Sequence, residues 1–362
     1  LGKERSYLWV VSSDGFNSYE LPGSQDLAQP IEQFHNAISH PGSPPSDIKR
    51  KGDSLVQLIL PEPVWAQLAE KRLLVVANGD LQTIPFAALP IPNTPEYAPL
   101  LKNNEILTQP SASSIAISRQ QLQGRTPAPK TLAILADPVY RSDDPRVTGE
   151  TVAQLPVEIA STLRSFNLPD VKRLPNTRTE AEQILALVPD SDRLAAFDFA
   201  ANYDWATDSQ LSQYRIVHFA THGFVNPVNP ALSGVVLSLV NERGRAREEG
   251  LLRLHDIFNL NLPAELVVLS ACQTGLGEEA RGEGLIGLTR GFMFAGAKRL
   301  VVSLWNVNDE ATATLMSAFY RKVLQENMTP AVAMRSAQLE MWEAGLNPNL
   351  WAAFTVQGEW RD

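Results

Sequence analysis

Two side chains in this sequence are suited to acyl-transfer chemistry: Cys272, the single cysteine among 362 residues, and His222. A free thiol ionises near pH ~8.5, so only a few per cent is thiolate at neutral pH. An imidazole within reach can take the thiol proton and later return it to a leaving amine. Attack on a carbonyl also creates an oxyanion, and each backbone N–H that holds it is worth about 3–4 kcal/mol of barrier. Gly223, directly after His222, permits close backbone approach, and the N–H of Cys272 is the natural second donor.

Both residues follow short apolar runs. Residues 215–220 (RIVHFA) lead into Thr221-His222-Gly223, and residues 265–270 (ELVVLS) lead into Ala271-Cys272-Gln273-Thr274-Gly275. Residues 131–136 (TLAILA) precede Asp137, and residues 299–304 (RLVVSL) precede Trp305 and, slightly later, Asp309. A further strand is expected over residues 234–239, and a weaker strand pattern occupies residues 195–199. Helical patterns occupy residues 284–295, 310–324 and 330–344, and Thr179-Glu180-Ala181-Glu182 reads as a capping box opening another helix. Strands without polar alternation, separated by helices, imply a sheet covered on both faces. The expected fold class is therefore α/β, with a doubly wound, mostly parallel sheet and helices on both faces. Functional groups in such sheets gather at the carboxyl ends of the strands, which puts His222 and Cys272 on one edge.

The first third of the chain reads differently. Residues 6–21 alternate apolar and polar around Asp14-Gly15, as in a hairpin, and helices are expected near residues 31–39 and 54–60. A strand–turn–strand is expected over residues 72–86, and a helix over residues 111–122. The stretch 123–130 (QGRTPAPK) reads as a linker because its Gly and two Pro break any period. The expected division is a smaller N-terminal α/β subdomain over 1–126 and a catalytic domain over 127–362.

Plainer roles stand beside the chemical ones. A cysteine at a strand end is often a small core residue. Asp309 opens a helix, where the dipole favours an acid, but it could also contact substrate. Asp137-Pro138 can be merely a turn, and Trp305 can line a cleft or pack under the sheet. His218, inside its strand, reads as a core histidine; His255 reads as structural, and His35 and His40 carry no pattern. The loop 241–250 (NERGRAREEG) reads as solvated, with Arg243, Arg245 and Arg247 as candidate self-cleavage points. Gly282-Glu283-Gly284-Leu285-Ile286-Gly287 matches a dinucleotide fingerprint, but no strand directly precedes it and Glu283 would face the pyrophosphate.

Composition narrows the partners. The formal charge of −9 argues against nucleic acid and anionic membrane surfaces, which need a basic face. No apolar run approaches the ~20 residues that span a bilayer, and residues 1–11 lack a signal-peptide pattern. One cysteine excludes an internal disulfide and fits a reducing, cytoplasmic setting. With five histidines and one cysteine, a thiolate zinc site of ordinary spacing cannot be built, and the chemistry above needs neither metal nor organic cofactor. The chain begins at Leu1 rather than methionine, which suggests a piece of a longer protein.

His222 lies 50 positions before Cys272, the separation of the two catalytic residues in caspases. The runs FATHGF, LSGVVLSL, LVVLSACQTGLG and GEGLIGLTRGFMFAGAKRLVVSLWNVND together resemble the CHAT domains, caspase-like domains often found downstream of tetratricopeptide repeats. The resemblance covers nearly the whole chain. It implies a caspase-like fold, a His222–Cys272 dyad, peptide-bond cleavage of protein substrates and an upstream tetratricopeptide-repeat or other regulatory region. It also implies that the N-terminal subdomain is a degenerate copy, as in separase-like proteins. Glycine stands three positions after the cysteine, at Gly275, as in metacaspases and separase. Those relatives carry an aspartate two positions before the cysteine to receive a basic side chain, whereas this chain has Ser270 there. Asp137 occupies another position where the clan puts a specificity residue, so Asp137, Ser270, Trp305 and Asp309 are the candidate substrate contacts. The competing readings are a non-catalytic signalling or scaffold module that keeps the fold for partner binding, and a different cysteine hydrolase or acyltransferase that shares the dyad and differs only in the acceptor.

Overall fold

The computed structural model describes residues 1–149, 154–165, 170–224, 230–270 and 281–361. The chain opens with a hairpin of β1 (Arg5–Ser12) and β2 (Gly15–Pro22), followed by helices α1 (Ser24–Ser39), α2 (Pro45–Ile59) and α3 (Glu62–Leu68). In α1 the buried residues Leu27, Ile31, Phe34 and Ile38 recur every three or four positions, the spacing of one helix face. Next come β3 (Leu73–Val75), β4 (Ile106–Thr108) and α4 (Ala112–Leu122). The strand–turn–strand expected over residues 72–86 forms only its first strand. Short 3₁₀ turns over Gly79–Thr83 and Phe86–Ala88 replace the second, where Pro85 could donate no ladder hydrogen bond. The parallel partner of β3 is β4, which lies 33 residues later by the register pair Leu73 with Ile106.

The remaining elements are β5 (Lys130–Pro138), α5 (Val157–Ser165), α6 (Pro175–Leu185), β6 (Arg193–Asp198), α7 (Tyr203–Ala206), β7 (Tyr214–Ala220), β8 (Gly223–Phe224), β9 (Gly234–Val236), β10 (Leu251–Arg253), α8 (Leu254–Phe258), β11 (Leu266–Leu269), α9 (Arg281–Phe294), β12 (Arg299–Ser303), α10 (Asp309–Leu324), α11 (Pro330–Glu343) and β13 (Phe354–Gly358). The expected capping box at Thr179 is corrected: α6 begins a turn earlier, at Pro175, whose fixed φ suits the first helical position.

Among the described residues an eight-stranded sheet runs in the order β3-β4-β13-β12-β11-β7-β5-β6. All neighbours are parallel except β12 and β13, so β5, β6, β7, β11 and β12 share one carboxyl edge. Strands from both sides of residue 126 contribute to this sheet. Adjacent residues of β7 show that both faces are covered, because neighbours in a strand point opposite ways. His218 meets Tyr320 of α10 and Glu180 of α6, while Phe219 meets Phe292 of α9 and Trp205 of α7. The α/β class and the mostly parallel, doubly covered sheet are therefore as expected. One large apolar cluster fills both layers, and α6, α10 and α11 pack side by side over one of them.

A second sheet, β10-β9-β8, is antiparallel and stands beyond the carboxyl edge. Beneath it lies a smaller apolar cluster of Tyr140, Ile159, Leu163, Val171, Phe224, Val236, Leu239 and Leu251. Residues 234–239, expected as a strand of the main sheet, instead supply β9 to this second one.

Candidate active site

The two strands that precede the candidate dyad are parallel neighbours, with His218 opposite Val268 and Phe219 opposite Leu269. The Ser270 N–H donates to the Phe219 carbonyl at 3.2 Å, which keeps the pairing to the last residue described before 281. Cys272 lies outside the described residues, so its thiol and its N–H carry no geometry here. The same holds for the fingerprint at 282–287 as regards its side chains.

His222 is 1% exposed. Its carbonyl accepts from the Val236 N–H at 2.7 Å, which ties it to the second sheet. Its ring Nε2 lies 2.6 Å from the Lys172 carbonyl oxygen. A carbonyl can only accept, so this contact requires the proton on Nε2 and, in the neutral ring, leaves Nδ1 with a bare lone pair. Nδ1 is buried and has no hydrogen-bond partner among the described residues. Burial lowers the pKa of His222 from the ordinary value, and the Lys172 contact offsets only part of that. The ring is thus held neutral, as a base must be.

Tyr140 supports this ring, with centroids 5.3 Å apart and planes tilted by 54°. The Thr221 hydroxyl donates to the Val236 carbonyl, so Tyr140, 2.8 Å away, is the donor to Thr221 Oγ1. Burial pushes the Tyr140 hydroxyl well above its usual pKa, keeping it a donor.

Asp137, at the end of β5, is 1% exposed and has φ of 50°. Its carboxylate receives Arg173 Nε at 2.8 Å and Nη2 at 2.7 Å, in a two-pronged pair, and lies 3.0 Å from Arg146 Nη1. Arg146 also reaches Asp144 and Asp198, and Arg178 reaches Asp198. Asp137 is therefore neutralised from within the protein. Ser270 is fully buried, and its hydroxyl has no partner among the described residues. Gly223 is buried in β8 opposite Val235.

Asp309 sits in the first turn of α10 and accepts the Asn176 N–H at 3.0 Å, joining the starts of α6 and α10. Burial raises its pKa from the ordinary value. Trp305 belongs to the main core: it meets His35 edge-on at 5.9 Å and donates from Nε1 to the Asn349 carbonyl at 3.3 Å. The edge thus gathers His222, Gly223, Ser270 and Asp137, with Asp309 joined through the start of α6, while Trp305 packs elsewhere. His218 is a core histidine, with Nδ1 2.9 Å from Tyr320 Oη and Nε2 3.0 Å from Glu180. Sequence reasoning missed Lys172, Tyr140, Thr221, Arg146 and Arg173. Only Thr221, beside His222, carried a signal; a carbonyl contact from Lys172 leaves none. No group of three or more potential metal ligands occurs among the described residues.

Comparison with known proteins places the chain in a family. The CHAT domain family model matches residues 49–359. Human tetratricopeptide repeat protein 28 is 24% identical over 326 residues, and its mouse counterpart is 26% identical over 327. Each match covers 80% of this chain, which spans 12% of the relative's length. Among solved structures, the Saccharomyces cerevisiae separase–securin complex is 12% identical with a TM-score of 0.41, covering 76% of this chain and 14% of that one. The Arg-specific cysteine proteinase gingipain R is 9% identical with a TM-score of 0.45, covering 93% and 74%. With the family model spanning most of its length, the chain belongs to the CHAT domain family.

Proposed function

We propose that this chain is a cysteine endopeptidase domain that cleaves protein substrates through Cys272 and His222. The observation that carries the reading is the state of His222: buried, neutral, bound through Nε2 and without a partner at Nδ1 among the described residues, at the carboxyl end of the strand beside the one leading to Cys272. In the reaction, Nδ1 takes the Cys272 proton and the thiolate attacks the peptide carbonyl, forming a C–S bond. The oxyanion is held by the N–H groups of Gly223 and Cys272. Collapse expels the amine, which takes its proton from Nδ1. Water then attacks the thioester, releasing the acid and restoring the thiol.

Two details extend the proposal. The relatives are tetratricopeptide repeat proteins, of which this chain spans 12%, which supports a role as the effector part of a larger regulatory protein. The internal neutralisation of Asp137 by two arginines supports a role for it inside the protein rather than against a basic substrate side chain. The test is a peptide library incubated with wild type and Cys272→Ala. Cuts at a fixed residue type that vanish in Cys272→Ala support the proposal. A wild type that cuts nothing, and whose Cys272 ignores peptidyl chloromethylketones and epoxides, favours a scaffold that keeps the fold for binding.

A further inference from the structure

The segment that carries the Lys172 carbonyl belongs to no helix or strand: residues 170–174 join the end of the undescribed stretch to α6. An irregular segment moves unless something anchors it. Two anchors flank Lys172. On one side Val171 buries its side chain in the smaller apolar cluster. On the other, Arg173 grips Asp137 with both prongs of its guanidinium. Asp137 is itself fixed at every polar group. Its N–H donates to Thr177 Oγ1 at 3.1 Å, its carbonyl accepts from Arg146 Nη1 at 2.9 Å, and its carboxylate meets both arginines. It holds a positive φ of 50°, a conformation that a non-glycine residue keeps only where its surroundings impose it.

We infer that Asp137 and Arg173 form a positioning clamp that holds the Lys172 carbonyl against His222 Nε2 and so selects the imidazole tautomer that leaves Nδ1 bare. The inference rests on His222 being the proton carrier. A neutral imidazole has two tautomers of similar energy, and the partner of one nitrogen decides which is populated. With the carbonyl 2.6 Å away only the Nε2–H form makes the bond. When the carbonyl drifts, the Nδ1–H form becomes populated and cannot accept the Cys272 proton. Asp137 and Arg173 touch no reacting atom; both act through Lys172.

The test is ¹⁵N NMR of the whole chain with labelled histidine, the His222 signals being assigned by their loss in His222→Ala. Wild type is expected to show Nε2 protonated and Nδ1 bare. Arg173→Gln and Asp137→Asn are expected to show a mixture, with Arg173→Lys between them and wild type because it keeps the charge but loses the fork. Alkylation of Cys272 at neutral pH is expected to slow about tenfold in Arg173→Gln, a fraction of what a positioned base contributes. Arg173 is 40% exposed at its side chain, so Arg173→Gln keeps the test decisive where Asp137→Asn fails to fold. A single Nε2–H tautomer retained in Arg173→Gln overturns the inference. The tautomer is read without any turnover: a fixed tautomer in wild type and a mixture in Arg173→Gln, beside an unreactive Cys272, would sink the peptidase reading and leave the clamp intact.

Discussion

The layer of helices behind the sheet can be probed apart from the chemistry with Tyr320→Phe. Tyr320 and His218 are fully buried, and their rings stack at 5.5 Å with planes 18° apart. The substitution keeps the ring and its packing and removes only the hydroxyl 2.9 Å from His218 Nδ1. No cavity larger than one oxygen is created, so the cavity cost of about 3–5 kcal/mol for losing a whole aromatic side chain does not apply. What is lost is one hydrogen bond, with a buried ring nitrogen left unpaired. That costs about 1–3 kcal/mol, the desolvation of an orphaned group rather than the smaller net worth of an average bond. Urea unfolding followed by circular dichroism should show a lower midpoint at an unchanged slope, since the surface exposed on unfolding is the same. A loss below about 0.5 kcal/mol would refute the reasoning, because it would mean that water or another group satisfies His218 when the hydroxyl is gone. A changed slope would refute it differently, by showing that the variant altered more than one bond.

Other outcomes follow from the same geometry. His222 has a folded-state pKa below its ordinary 6.5, so below that pH the unfolded chain binds the extra proton and the folded chain resists it. Its contribution to stability is present above pH 6.5 and is lost as the pH falls below it; His222→Asn should flatten that part of a urea-midpoint against pH curve, and an unchanged slope would contradict the assignment. Arg125, inside the stretch that reads as a linker, donates to the carbonyls of Gly296 and Ala264 and pairs with Glu265. Arg125→Ala should therefore cost about 1–3 kcal/mol in the same unfolding assay, where a free linker residue would cost nothing. A Cβ at Gly234 would meet the Leu252 carbonyl oxygen at 2.3 Å, so Gly234→Ala should force β9 and β10 apart and lose about 1–3 kcal/mol. Hydrogen exchange confined to the second sheet would show where; unchanged exchange there would contradict it.

The central strands were legible because β5, β7, β11 and β12 are largely apolar runs without polar alternation, the pattern of a parallel sheet covered on both faces. Strands such as β4, β8 and β10 are two or three residues long, too short for any periodicity, and exist because a neighbour supplies their partners. The start of α6 was misplaced because Thr179-Glu180 imitates a cap while Pro175 already sets the first turn. His222 was legible from its glycine and its place after an apolar run. The Lys172 carbonyl was not, since it lies 50 residues from His222 and acts through the main chain. Asp137 was legible as a polar group at a strand end. Its neutralisation was not, because Arg146 and Arg173 stand 9 and 36 positions away with nothing in the chain between to announce the pairing.

Because Cys272 is the sole thiol in the chain, its alkylation can be followed by mass spectrometry without interference. The rate measured against pH in wild type and in His222→Ala tests most directly whether the imidazole takes the thiol proton. Wild type should react readily near neutral pH, and His222→Ala should react slowly there and gain speed only toward the ordinary thiol range near pH ~8.5. Superimposable profiles would contradict the account.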